Sequence, residues 1–355
     1  MRILQLIDSL EAGGAERMAV NYANALVSRA EVSALAVSRK EGALRYELSD
    51  EVPYLFLNRK SMLDVKALMR LRKFVVQNKI EWLHAHGTSF FMAVLLKLVY
   101  PKLKIVWHDH NGNRDKMKGN DNRILIACSY FFNRVLVVNE ELKVWAIQHL
   151  KCRQVSYLPN FTVSNKQEKR VTTLKGVEGK RIICLANLRH PKNHLTLLKA
   201  FQASGLSGAG WSLHFIGKDN SDAYSEELKV YIKDNSLIES AFIYGSCTDI
   251  YPILQQGSIG VLVSIYEGFP VTLLEYGLSG LAVIASDVGY CSEIIGDGEN
   301  GLLFDPKEII QLSEKLVILA ENDDLRDRFG LALAATIANR FSEQVVISDY
   351  LHFIH

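Results

Sequence analysis

Short apolar runs alternate with longer stretches in which apolar residues recur every three or four positions, and this alternation is kept along most of the chain. The first run, residues 3–7, predicts a strand. Asp8-Ser9-Leu10-Glu11-Ala12-Gly13-Gly14 follows, then a helix from residue 15 to about 29 in which Met18, Ala19, Tyr22, Ala23 and Leu26 share one face. Further strands are expected at 32–37, 54–57, 82–84, 105–107, 135–138 and 155–158, with helices at 62–78, 88–99, 122–132 and 140–149. After Pro159-Asn160-Phe161 a polar, Lys/Glu-rich stretch, 162–180, reads as a linker. A second series starts at Arg181, with strands at 182–185, 211–216, 241–244, 258–263, 282–285 and 301–304 and helices at 193–203, 222–235, 270–279 and 307–321. Strands separated by helices predict parallel sheets covered on both faces. The linker divides them into two α/β domains with a cleft between, a favoured place for small ligands.

One stretch carries the most chemistry: Glu267-Gly268-Phe269-Pro270-Val271-Thr272-Leu273-Leu274-Glu275, directly after the apolar run 259–263. It reads as strand, tight turn and helix, with Pro270 in the first helical turn, where its missing N–H costs nothing. The helix start would be an anion site, and Gly268 leaves room for a phosphate near the backbone. A carboxylate on either side repels phosphate, so Glu267 and Glu275 suit neutral hydroxyls instead. A ligand with two hydroxylated ends joined by a diphosphate, a nucleotide sugar, satisfies the arrangement.

Composition narrows the setting. At 355 residues, 48% hydrophobic and 23% charged, the chain suits two globular domains and excludes general disorder. Five dispersed cysteines, at 128, 152, 184, 247 and 291, contain no C-x-x-C pair. They point to a reducing, cytoplasmic compartment without a disulfide frame or structural zinc site. The N-terminal run is too short for a signal peptide, and none reaches the ~18 apolar residues of a membrane span. Charge is uneven: residues 1–160 hold 24 Lys/Arg against 15 Asp/Glu, and the remainder 17 against 24. A basic first half suits an acidic substrate or an anionic membrane surface, or simply solubility. Its helix at 62–78 sets Lys66, Arg70, Arg72 and Lys73 beside Leu63, Val65, Leu68 and Met69, a pattern open both to a solvated face and to peripheral contact with the inner face of a membrane.

Three further groups are candidates. Gly13-Gly14, at the end of the first strand, is placed either for a phosphate or for a turn needing positive φ. His84-Ala85-His86 and His108-Asp109-His110 end two strands; they suit sugar hydroxyls or metal ligands, with His108 the better placed to face a cleft and His84 open to being buried. Arg189 and Lys192 lie in a loop after the first strand of the second series, where two cations would meet a diphosphate.

Glu267 and Glu275, with seven residues between them, resemble the E-x7-E motif of retaining glycosyltransferases with the GT-B fold, particularly glycosyltransferase family 4. Gly13-Gly14-Ala15-Glu16-Arg17, the Arg-x-x-Lys loop at Arg189 and Lys192, and residues 281–289, 293–295 and 298–303 agree in order. The resemblance implies two Rossmann-like domains. Residues 1–162 would bind the acceptor, residues 163–341 the donor, and a last helix within 342–355 would return to the first domain. It implies a nucleotide-sugar donor, by family habit a UDP-sugar, and a glycan or lipid-linked acceptor in cell-surface polysaccharide biosynthesis, with retained anomeric configuration. No cofactor, metal or nucleic acid is implied, and the chain has no Asp-x-Asp pair. By the family pattern Glu275 binds ribose, Glu267 and His108 meet the donor sugar, Arg189 and Lys192 hold the diphosphate, Gly14 approaches the phosphates, and Gly268, Phe269, Pro270, Val271 and Thr272 form the turn around the ligand. Family members often carry their arginine two positions earlier, where this chain has Asn187. A nucleotide-sugar epimerase of similar shape and a non-catalytic nucleotide-sugar binder are the alternative readings.

Overall fold

The computed structural model of the chain describes residues 1–11, 13–111, 114, 122–163 and 169–355; Ala12 of the first turn and 164–168 of the linker lie outside them. The chain forms two compact units, Met1–Thr162 with Ser342–His355, and Val163–Phe341. In the first unit the described elements are β1 (Arg2–Ser9), α1 (Gly14–Ala25), β2 (Val32–Lys40), β3 (Tyr54–Phe56), α2 (Val65–Gln77), β4 (Trp82–His86), α3 (Phe90–Val99), β5 (Lys104–Asp109), α4 (Arg123–Cys128), β6 (Arg134–Val137), α5 (Glu140–His149) and β7 (Val155–Tyr157). The strands form a parallel sheet in the order β3-β2-β1-β4-β5-β6-β7.

The second unit repeats the plan with β8 (Arg181–Leu185), α6 (His194–Ala203), β9 (Ser212–Ile216), α7 (Ala223–Asp234), β10 (Ala241–Ile243), α8 (Ile250–Leu254), β11 (Ile259–Leu262), α9 (Val271–Leu278), β12 (Ala282–Ser286), α10 (Cys291–Ile294), β13 (Leu302–Phe304), α11 (Ile309–Ala320) and α12 (Asp323–Arg340). Its sheet is also parallel, in the order β10-β9-β8-β11-β12-β13. In both sheets the order reverses beside the first strand, between β1 and β4 and between β8 and β11. Ligands of open α/β sheets bind at the carboxyl ends of the strands flanking such a reversal.

The final helix, α13 (Glu343–Ile354), packs in the first unit, where Val346, Ile347, Tyr350 and Ile354 join Met18, Tyr22 and Leu26 in one buried cluster. Arg134 Nε donates to the Phe353 carbonyl at 3.1 Å. Several boundaries differ from expectation. The helix expected at 62–78 starts at Val65 because the Asp64 carboxylate caps it, accepting from the Ala67 amide at 3.0 Å. Only Ala67, Leu71 and Val75 of that helix are buried, which leaves Met62, Leu63, Val65, Met69 and Val76 exposed. The helix at 122–132 breaks into α4 and a tight turn over Ser129–Phe131. Helix α12 has no counterpart among the expected elements; its buried stripe is only Phe329, Gly330, Leu333 and Ile337 in a polar sequence. No helix among the described residues is long and apolar enough to cross a membrane.

Candidate functional site

The loops after β8 and β11 stand on either side of the reversal in the second sheet. They are tied together: the Ile265 amide donates to the Pro191 carbonyl at 2.9 Å, and Lys192 Nζ reaches Glu267 Oε1 at 2.5 Å. Buried Ser264 donates to the same carboxylate oxygen at 2.6 Å. The Lys192 and Glu267 side chains are only 19% and 11% exposed, so this pair is held in place and is not a loose surface contact. Arg189, exposed at the head of the His190–Lys192 turn, lies three residues from Lys192 along the same loop. Asn187, at the position where the family often has arginine, accepts from the Lys218 amide at 2.9 Å and so braces the loop after β9.

Helix α9 is fixed from below. Fully buried Tyr276 has its hydroxyl between the Leu185 amide, 2.8 Å, and the carbonyls of Ile183 and Val261, each 3.2 Å away. That explains Gly260 in the middle of an apolar strand: a Cβ there would lie 2.7 Å from the Tyr276 ring. Gly277 lets α12 press close on the other side, where a Cβ would lie 2.1 Å from Ile337 and 2.9 Å from Leu333. Phe269 is buried against Tyr290, with ring centroids 5.2 Å apart, and Phe341. Gly289, at φ +54, brings its backbone under the Glu267 carbonyl; a Cβ would be 1.8 Å from that oxygen.

The start of α9 differs from the expected geometry. Pro270 is the N-cap, with ψ 85, and Val271 is the first helical residue. The helix begins one residue late because Pro270 supplies the first accepting carbonyl. The Val271 amide donates to the Phe269 carbonyl at 3.1 Å and the Leu273 amide to the Pro270 carbonyl at 3.0 Å. Two amides of the expected anion site are thus engaged within the turn. Thr272 Oγ1 donates to the Leu185 carbonyl at 3.4 Å, and Glu275 is half-buried on the same helix.

In the first unit Gly13 caps α1 in extended conformation, Gly14 opens the helix, and neither has positive φ, so a turn needing left-handed backbone is not the reason for the pair. Gly14 is exposed, and a Cβ at its position would meet nothing within 4 Å. His108 departs from its expected place. It has no exposed surface and is closed in by His84, His86, His110 and Tyr22, so its ring cannot meet a sugar in this arrangement. Its strand end gave no hint of this, because β5 continues to Asp109 and carries His108 into the sheet. Burial pushes His84, His86 and His108 well below the usual histidine range, and His110 to about 3.

The residues that sequence reasoning missed are the supports: Ser264, Tyr276 and Gly289. A glycine inside the β11 run was the one visible signal of the Tyr276 approach.

Comparison with known proteins identifies the family and the fold. The profile of "Glycosyl transferases group 1" matches residues 165–332, and that of "Glycosyltransferase Family 4" matches residues 12–166. A Campylobacter jejuni N,N'-diacetylbacillosaminyl-diphospho-undecaprenol alpha-1,3-N-acetylgalactosaminyltransferase is 39% identical over 108 residues, covering 30% of this chain and 28% of the relative, so the match spans less than a third of that protein. A second C. jejuni enzyme, a 4-alpha-N-acetylgalactosaminyltransferase acting on an undecaprenol-diphosphate glycan, is 21% identical across 88% of this chain and 80% of its own length. The crystal structure of Anabaena HepE in complex with UDP-glucose superposes with a TM-score of 0.83 at 16% identity, covering 100% of this chain and 99% of that one, which establishes a shared fold. The chain belongs to the group 1, family 4 glycosyltransferases and has their GT-B fold of two parallel-sheet α/β domains.

Proposed function

We propose that the protein transfers a sugar from a nucleoside-diphosphate sugar, with UDP the favoured nucleotide, to a glycan or lipid-linked acceptor with retention of anomeric configuration, in cell-surface polysaccharide synthesis. The observation that carries this reading is the Lys192–Glu267 pair at the sheet reversal, beside the start of α9. An ammonium has three protons. One engages Glu267, and the others are available for the oxygens of a diphosphate, with Arg189 adding a second cation.

Breaking the bond from the anomeric carbon to the diphosphate leaves negative charge on phosphate and positive character on the sugar. Groups that bind this charge more tightly than the intact donor accelerate the step. Lys192 and Arg189 stabilise the leaving group; Glu267 accepts a hydroxyl of the sugar, and Glu275 the ribose. Glu267 alone would oppose a phosphate charge by about 4 kcal/mol at 4 Å and an effective dielectric of about 20. Lys192 offsets that repulsion while attracting the same phosphate. The acceptor hydroxyl attacks the anomeric carbon on the face that the diphosphate leaves, and its proton passes to the departing phosphate. In this reading the second unit holds the donor, the first holds the acceptor, and His108 has no contact with sugar. No divalent ion is assigned to the transfer.

The names of the C. jejuni relatives support a lipid-linked acceptor, and UDP-glucose in HepE supports the donor class. The exposed Met62, Leu63, Val65 and Met69 beside Lys66, Arg70 and Lys73 support peripheral contact with an anionic membrane; no change in sedimentation with anionic vesicles would remove that part. Incubation with a panel of nucleotide sugars tests the reaction. Acceptor-dependent release of nucleoside diphosphate is expected, with an anomeric coupling in the product matching that of the donor. An epimerised nucleotide sugar formed without acceptor identifies an epimerase, and binding without either product identifies a non-catalytic binder.

A further inference from the structure

The interior of the first unit holds a group of side chains that sugar transfer does not use. His84 and His86 alternate along β4 and therefore share a face, and His86 lies directly opposite His108 of β5. All three are fully buried, and one ring nitrogen from each lies within 4.8 Å of the other two. His84 Nε2 and His108 Nδ1 are 3.2 Å apart. Two nitrogens bound to one tetrahedral ion at ~2.0–2.1 Å stand at nearly that separation, about 3.3 Å.

We propose that His84, His86 and His108 bind one transition-metal ion inside the first unit, with Zn²⁺ as the reference ion. An all-imidazole set favours zinc, copper or nickel over magnesium, calcium or manganese, which prefer oxygen. One of the three outer ring nitrogens already has an acceptor. A histidine on a metal donates its other N–H to a neighbour. His86 Nε2 already faces Gln5 Oε1 at 2.9 Å. His84 Nδ1 and His108 Nε2 are buried without a partner, as are the hydroxyls of Tyr22 and Tyr350, whose rings lie 5.1 Å from that of His84.

Without an ion, the 3.2 Å contact is a hydrogen bond between neutral rings and leaves both outer nitrogens unsatisfied. With one, β4 and β5 share a crosslink, and Tyr350, stacked on His84, ties α13 to it. The site is closed to substrate, so its role is structural and independent of the transfer reaction.

The test uses the full untagged chain, expressed in zinc-supplemented medium because the site is enclosed once folded. Metal content is measured by mass spectrometry; the chain is then stripped with a chelator, refolded and titrated with ZnCl₂ or CoCl₂. The proposal expects one ion per chain, intense tetrahedral Co²⁺ absorption, and a melting temperature that rises with ion concentration. Both His84→Gln and His108→Gln should lose the ion. If these variants do not fold, the wild-type stoichiometry and Co²⁺ spectrum decide. Absence of a stoichiometric ion, an octahedral Co²⁺ spectrum, or binding retained in both folded variants overturns the proposal.

Discussion

Gly289→Ala tests whether the Glu267 loop must be held where the structure places it. Gly289 makes no contact assigned to substrate, but its φ is +54 and a Cβ would sit 1.8 Å from the Glu267 carbonyl oxygen. Left-handed backbone costs a non-glycine residue roughly 1–2 kcal/mol. A carbon–oxygen contact settles at ~3.3–3.6 Å, so Glu267 has to retreat by about 1.5 Å. Displacing a positioned group by about 1 Å costs on the order of 100-fold in rate. Gly298→Ala is the control: Gly298 is also left-handed, at φ +76, with nothing within 4 Å of a Cβ. Both variants should lose the stability that left-handed backbone costs, and Gly289→Ala loses more because Glu267 is also displaced. Only Gly289→Ala should lose turnover, on the order of 100-fold, while affinity for the free nucleoside diphosphate changes less because Glu275 is untouched. A folded Gly289→Ala enzyme with turnover equal to that of Gly298→Ala refutes the reasoning.

Other perturbations probe different links. Lys192→Ala removes a charge-assisted contact of about 1.5–3 kcal/mol and uncovers Glu267, so kcat should fall at least ~10-fold, with a smaller change in acceptor KM; unchanged kcat would exclude the leaving-group role. Tyr276→Phe leaves the half-buried Leu185 amide without its 2.8 Å partner and should destabilise the second unit by about 1–3 kcal/mol; unaltered denaturant unfolding would show that the clamp contributes nothing. His194 and His214 are held neutral by burial, with pKa values pushed down to about 4 and about 3. The unfolded chain takes their protons first, at about pH 6.5, so the stability they contribute is complete above that value and is lost as pH falls toward 4. Over that window His194→Gln should reduce the slope of stability against pH by about 1.4 kcal/mol per unit; an unchanged slope in acid unfolding contradicts the assignment.

Much of the architecture was legible because parallel strands announce themselves as apolar runs and their helices as amphipathic ones. Helix α5 was expected over the residues it occupies, and strand boundaries shifted by one to three residues. Helix α12 escaped because its buried stripe of Phe329, Leu333 and Ile337 is one residue wide, and Gly330 reads as a breaker although it is there to approach the Gly280 carbonyl. At the site, Glu267 and Lys192 were visible as charged residues in loops after strands, and the structure brings them together. The position of His108 was not readable, since a residue that ends an apolar run can be the last inside the sheet or the first outside it, and side-chain burial decides which. Gly289 and Tyr276 were hidden because what they do depends on partners far away in sequence.

The central claim is that α9, with Glu267 before it, holds a nucleoside diphosphate, and that Glu275 on the helix binds the ribose. Calorimetric titration of nucleoside diphosphates into the wild-type chain and Glu275→Ala addresses it directly. At least one nucleotide should bind the wild type, and the substitution should weaken it roughly 10–100-fold, the equivalent of one hydrogen bond to a charged group. An equal dissociation constant in the two proteins, or no binding of any nucleoside diphosphate to the wild type, would contradict it.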